Sequence, residues 1–199
     1  MTTSRKPGAT TKMKKPQEKC AETSTVLVEI FAANGRMNQL LLEHLDPRAW
    51  RAKPLGMKTR EGRTIAAIFA HMHNCRRPWL ERSAPHLPCP PALDPARCTM
   101  KQAAVAHKKS AVQCLRMLKE ALSVNSERRV QKFSRGSWTR DWPAGATMFG
   151  YMFAHDAHHR GQIIALAHQL GYRLSTEGAY GIWWWEKIWK ELGFSKGPR

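Results

Sequence analysis

Between Met148 and Leu170 the chain reads MFGYMFAHDAHHRGQIIALAHQL, with no proline and with apolar side chains at Met148, Met152, Ile163, Leu166 and Leu170. That spacing is the period of a helix that packs along one side. At about 100° per residue, His155 and His159 fall near the middle of the apolar stripe, and His158 lies roughly a quarter-turn away at its edge. Imidazoles that face a core need partners for their ring nitrogens. Two readings follow. Either the pair is satisfied by neighbouring side chains, or two nitrogens four residues apart converge on one metal ion.

The rest of the chain supplies more helices of the same kind. Thr23 to Leu45 is predicted as the first, capped by Thr23 or Ser24, with Asn34-Gly35 as a candidate break and Asp46-Pro47 as its end. A loop with Pro54, Gly56 and Gly62 leads to a second helix from Ile65 to about Arg82, with Thr64 as its N-cap. Its stripe is Ile65, Ile68, Phe69, Met72, Cys75 and Trp79. His71 and His73 flank that stripe on opposite sides, so periodicity does not choose between them. Arg76 and Arg77 follow, placed to meet an anion at a pocket mouth or to form a solvated basic face.

Ser83 to Arg97 contains Pro85, Pro88, Pro90, Pro91 and Pro95 and cannot be helical throughout. Extended, it spans about 45 Å, enough to let a third helix run parallel to the second. That helix is predicted over Thr99 to Leu122, with a lone His107 expected at the surface. Val124 to Ala144, carrying Trp138 and Trp142-Pro143, is a second long connection into the histidine helix. Gly161 within that helix is expected to serve a close backbone approach, and Gly171 to end it as a C′ glycine. Past a polar loop, Ile182 to Leu192 is predicted as a short tryptophan-rich helix whose Trp185, Ile188, Trp189 and Leu192 close the end of the bundle. No strand-like alternation stands out, so the fold class is all-α: a four-helix bundle with long crossover connections.

Composition bounds the function. The 199 residues suit one folded domain, residues 23–199, behind a basic tail, residues 1–22, whose charge, proline and glycine predict disorder. No run reaches the roughly 18 to 20 apolar residues of a membrane span, and no apolar leader segment is visible. Five scattered cysteines form no CxxC pair, which argues against a disulfide framework or a zinc ribbon and for a reducing, cytoplasmic setting. The net charge of +18 favours weak adhesion of polyanions. No aromatic-interleaved basic ribbon or finger spacing supports specific nucleic-acid binding.

Three segments together resemble the DinB-like (DinB/YfiT) superfamily of four-helix metal proteins: NQLLLEHLDPRAW, RTIAAIFAHMHNCRRPWL, and FGYMFAHDAHHRGQIIALAHQLG with YGIWWWEKIWKE behind it. The resemblance runs from about Asn38 to Phe194, and HDAHHRGQI is its specific part. It implies an up-down-down-up bundle with a divalent metal (zinc, nickel, iron or manganese) held by three histidines. By position these are His71, His155 and His159. Such an open site suits a Lewis acid rather than a structural knot.

Some relatives of this kind use a low-molecular-weight thiol as co-substrate. The expected activity is therefore that of a metal-dependent enzyme, a small-thiol S-transferase or a hydrolase using metal-bound water. The alternative is a non-catalytic metal- or ligand-binding bundle that works through its basic surface. Arg76, Tyr151 and Gln162 are candidate supporting or substrate contacts, while no residue stands out as a general base. The expected partner is a small-molecule substrate or thiol. A homodimer is open, and neither specific nucleic acid nor a membrane is expected.

Overall fold

The computed structural model describes residues 23–53, 63–123, 130, 132–133 and 144–194. The tail, the loop with Pro54, Gly56 and Gly62, and Trp138 and Trp142-Pro143 lie outside the described residues. Four long helices make the bundle: α1 (Thr23–His44), α2 (Ile65–Ser83), α3 (Met100–Leu122) and α4 (Ala144–Gln169). Two short ones follow, α5 (Thr176–Tyr180) and α6 (Trp185–Glu191), with 3-10 turns at Pro47–Ala49 and Gly181–Trp183. There is no strand among the described residues.

Local chemistry sets the helix ends. The Thr64 hydroxyl accepts from the Ala67 N–H at 3.2 Å and starts α2. Thr99 starts α3 with a capping box: its hydroxyl accepts from Gln102 N–H, and the Gln102 side chain accepts from the Thr99 N–H. Gly171, at φ 80°, closes α4 in the left-handed conformation. Gly161 differs from expectation. A Cβ there would meet nothing within 4 Å, so no neighbouring backbone requires glycine.

Helix direction follows from which ends share a core. One apolar cluster joins Leu41 and Leu42 late in α1, Leu45 just beyond it, Ile65 to Met72 early in α2, Ala103 early in α3, and Ile163 and Ala167 late in α4. A second joins Phe31 early in α1, Trp79 and Leu80 late in α2, Cys114 to Ala121 late in α3, and Met148 and Met152 early in α4. Hence α1 and α4 run one way and α2 and α3 the other, the up-down-down-up order. The α2–α3 crossover traverses the bundle and is clasped to α2. Asn74 donates to the Leu93 carbonyl and accepts from the Leu93 N–H, both at 2.8 Å, and His73 Nε2 lies 2.9 Å from the Pro91 carbonyl.

Three further expectations change. α1 runs unbroken through Asn34-Gly35, because Asn34 is buried and bonded across the bundle rather than exposed in a turn. The polar loop before the tryptophans contains α5, capped by the Ser175 hydroxyl. The segment Ile182 to Leu192 is not one helix: a 3-10 turn precedes α6, and α6 packs on the outer flank of α1 rather than closing the bundle end. Ile188 buries against Ala33, Met37 and Leu40 there, and Arg36 pairs with Glu191 at 2.8 Å.

Between the two apolar clusters lies a polar layer that touches all four long helices. Asp156 on α4 accepts, through Oδ2, from Asn34 and Asn38 of α1 at 2.9 Å each and from Arg76 of α2 at 2.7 Å. Arg160 donates to the amide oxygens of the same two asparagines. Arg76 also donates to Ser110 of α3 at 3.0 Å. The ion-paired side chains are 2% (Arg76) and 1% (Asp156) exposed, so water does not screen them.

Candidate metal centre

The histidine stripe of α4 faces α2 next to this layer. His155 and His159, one helical turn apart, have ring centroids 4.5 Å apart. His71, one turn before Cys75 on the facing helix, lies 5.4 Å from the His155 ring and 4.8 Å from the His159 ring. Three imidazoles from two antiparallel helices thus share one small volume. His73 points elsewhere: besides Pro91 it meets the Ser110 hydroxyl at 3.2 Å, so both its nitrogens are engaged toward the crossover and α3. His158 is exposed.

The nitrogens of His155 decide whether the group fits a cation. Both are buried, and neither has a hydrogen-bond partner. Its Nδ1 is 3.8 Å from Asp156 Oδ1, an ion-pair distance too long for a hydrogen bond. A bound ion would satisfy one of these ring nitrogens, and two other imidazoles stand beside it. Burial opposes charging of His155, but Asp156 and Cys75 beside it outweigh this and raise its pKa. His159 goes the other way. Burial lowers its pKa, its bond to Gln162 partly offsets this, and nearby His155 and His158 add to the lowering. A neutral ring is the form that ligates.

The candidate supporting residues fall into different places. Gln162 Oε1 is 2.7 Å from His159 Nδ1, so that nitrogen carries the proton and donates, leaving Nε2 as the basic nitrogen. Tyr151 stacks one turn below His155 at 6.3 Å and, with Trp79 edge-on to the same ring at 5.3 Å, forms an aromatic wall. Arg76 does not stand at a pocket mouth. It is buried in the polar layer because Asp156 holds it there. Burial alone would raise the Asp156 pKa, yet the Arg76 charge, with His155 and Arg160, holds that carboxylate well below its usual range.

His107, expected at the surface, is fully buried, with Nε2 donating to the Phe69 carbonyl at 2.8 Å. Cys75 packs against the apolar core as its place in the stripe predicts, and its Sγ also stands 3.6 Å from both ring nitrogens of His71. The donor atoms of His71, Cys75 and His155 all lie within 4.8 Å of one another. The repeated spacing was the available signal: His71 and Cys75 on α2 are four residues apart, as are His155 and His159 on α4.

The DinB family model matches residues 13–187, which span all four bundle helices and every residue of this cluster. The chain belongs to the DinB family. The DinB match begins well before Asn38, where the motif resemblance starts, and takes in part of the basic tail. Comparison with curated proteins and with solved structures gives no match. No helix among the described residues is long and apolar enough to cross a membrane.

Proposed function

We propose that this DinB-family protein is a cytoplasmic metal-dependent enzyme in which His71, His155 and His159 hold one divalent ion. The observation that carries the reading is the buried, unpartnered pair of nitrogens on His155 inside a cluster of three imidazoles. When bound, the ion (zinc, nickel, iron or manganese) would supply Lewis acidity for transfer of a small thiol or for hydrolysis. The chain's own residues orient and exclude. Gln162 fixes the His159 tautomer, and Trp79 and Tyr151 keep one side of His155 apolar. Asp156, bound by two asparagines and Arg76, is unsuited to take a proton during turnover.

Metal analysis of protein purified without an affinity tag, then calorimetric titration of single variants, tests the reading. His71→Ala, His155→Ala and His159→Ala are each expected to abolish stoichiometric divalent-metal binding, while His158→Ala and His73→Ala retain it. Equal loss in His158→Ala would mean that the ligand set is wrong. A screen of the metal-loaded protein with several low-molecular-weight thiols and hydrolysable esters then separates the enzyme from a non-catalytic metal-binding bundle. The latter is the result if metal binds and nothing turns over.

A further inference from the structure

We infer that Cys75 is a metal ligand alongside the histidines, so that the centre is a mixed imidazole–thiolate site selective for thiophilic divalent ions. This rests on the metal-site reading above but assigns a residue and a metal class that the three-histidine pattern does not contain. The distances carry it. For a tetrahedral ion with metal–nitrogen bonds near 2.0 to 2.1 Å and a metal–sulfur bond near 2.3 Å, the nitrogen–sulfur edge is about 3.6 Å. Cys75 Sγ stands 3.6 Å from His71 nitrogen. His155 completes the group, with all donor atoms inside 4.8 Å and its own nitrogens unsatisfied.

The other described cysteines differ in kind. Cys98 is buried with its sulfur 3.9 Å from the Ala66 carbonyl, and Cys114 is buried in the apolar half of the bundle. Cys89 lies beside Glu81 at 3.4 Å, away from any histidine cluster. Cys75 alone among them is half-buried and faces imidazoles. On binding, the Cys75 S–H bond breaks with its electron pair left on sulfur, that pair forms the bond to the ion, and the proton passes to solvent. No electron is gained or lost. Soft sulfur shifts preference toward zinc and cobalt and away from magnesium and manganese.

Cobalt(II) titration of the reduced, chelator-treated full chain is the test, with retained cobalt measured after gel filtration alongside the absorption spectrum. Wild type is expected to hold one cobalt with a near-ultraviolet thiolate-to-cobalt charge-transfer band. Cys75→Ser and Cys75→Ala should lose that band and bind about tenfold more weakly or worse, at least the loss expected when only a supporting group of a ligand is removed. A second measurement needs no variant. Zinc should slow iodoacetamide alkylation of Cys75 about tenfold or more, as read by peptide mass spectrometry, and leave Cys89 unchanged. Cobalt retained without the band, a band that survives in Cys75→Ser, or Cys75 alkylation indifferent to zinc would each overturn the ligand assignment while leaving the histidine site standing. Failure of wild type to retain cobalt would overturn both.

Discussion

His107 shows how one buried ring sets an acid limit on the fold. Its Nε2 proton is committed to the Phe69 carbonyl, and its Nδ1 is buried without a partner. Burial, reinforced by the Arg76 charge, pushes its pKa down to about 3. In the unfolded chain the same ring titrates near 6.5. Between those values the unfolded state binds the extra proton, so stability falls as pH is lowered from about 6.5 towards 3, by up to about 1.4 kcal/mol per pH unit for this one group. His73, whose pKa burial also lowers, acts in the same direction. We expect His107→Gln to flatten the pH dependence of the urea midpoint between about pH 4 and 6.5, and an unchanged slope would show that His107 is not the group held neutral. A stripe read from apolar side chains alone does not mark His107 as buried. The buried residues of α3 are Ala103, His107, Ser110, Cys114, Met117, Leu118 and Ala121, spaced as one helical face in which a histidine and a serine occupy core positions. His155 and His159 were readable because apolar residues frame them. Periodicity leaves His71 and His73 open; the family resemblance names His71, whose ring lies beside those of His155 and His159.

Elements here are joined by polar contacts as much as by apolar ones. Asn34 and Asn38 occupy successive turns on the buried side of α1, and together with Arg76, Ser110, Asp156 and Arg160 they bond α1, α2, α3 and α4 in one layer. In the sequence none of these polar residues is marked as a core position, and a turn-like Asn-Gly pair reads as a break. Only the approach of α4 turns Asn34 into a core residue. The layer holds two guanidiniums against one carboxylate, so Asp156 is the member whose loss cannot be absorbed. Asp156→Ala leaves Arg76 and Arg160 buried without a counter-charge and is expected to destabilise the fold by about 3–5 kcal/mol, the usual consequence of breaking a buried pair from one side. Urea denaturation followed by circular dichroism reads this directly. A loss below about 1 kcal/mol, the range of exposed pairs, would mean that water reaches the layer.

At the scale of the whole molecule the fold was legible because it depends on length and period: four helical stripes, and a proline-rich crossover long enough to return the chain to the far end of the bundle. The flank position of α6 was not, since its apolar face fits either the bundle end or the side of α1, and the sequence does not say where a groove opens. The surface charge poses a separate question. The chain carries 33 lysines and arginines against 15 acidic residues, and six of those cations lie in the first 19 residues. On α3, Lys101, Lys108, Arg116 and Lys119 are exposed along one outward face with Val105 and Val112 between them. Such a row attracts phosphates through counterion release, an effect that carries no sequence information and falls steeply with salt. Base-specific reading needs donors and acceptors aimed at base edges from an element that enters a groove. Here the helices commit their apolar faces to one another, and the buried Arg76 and Arg160 are committed to Asp156 and the asparagines. We therefore expect binding to random and structured DNA and RNA no tighter than about micromolar at about 150 mM salt, without sequence preference and unchanged in His155→Ala. Replacing Lys101, Lys108 and Lys119 with glutamine, or removing the first 19 residues, should weaken it further and reduce its salt dependence in proportion to the charges lost. Fluorescence titrations of the full chain across a salt series measure all of this. Nanomolar binding that persists at that ionic strength, or that discriminates among the oligonucleotides, would make the basic face a specific interface and place the binding-protein alternative above the enzyme.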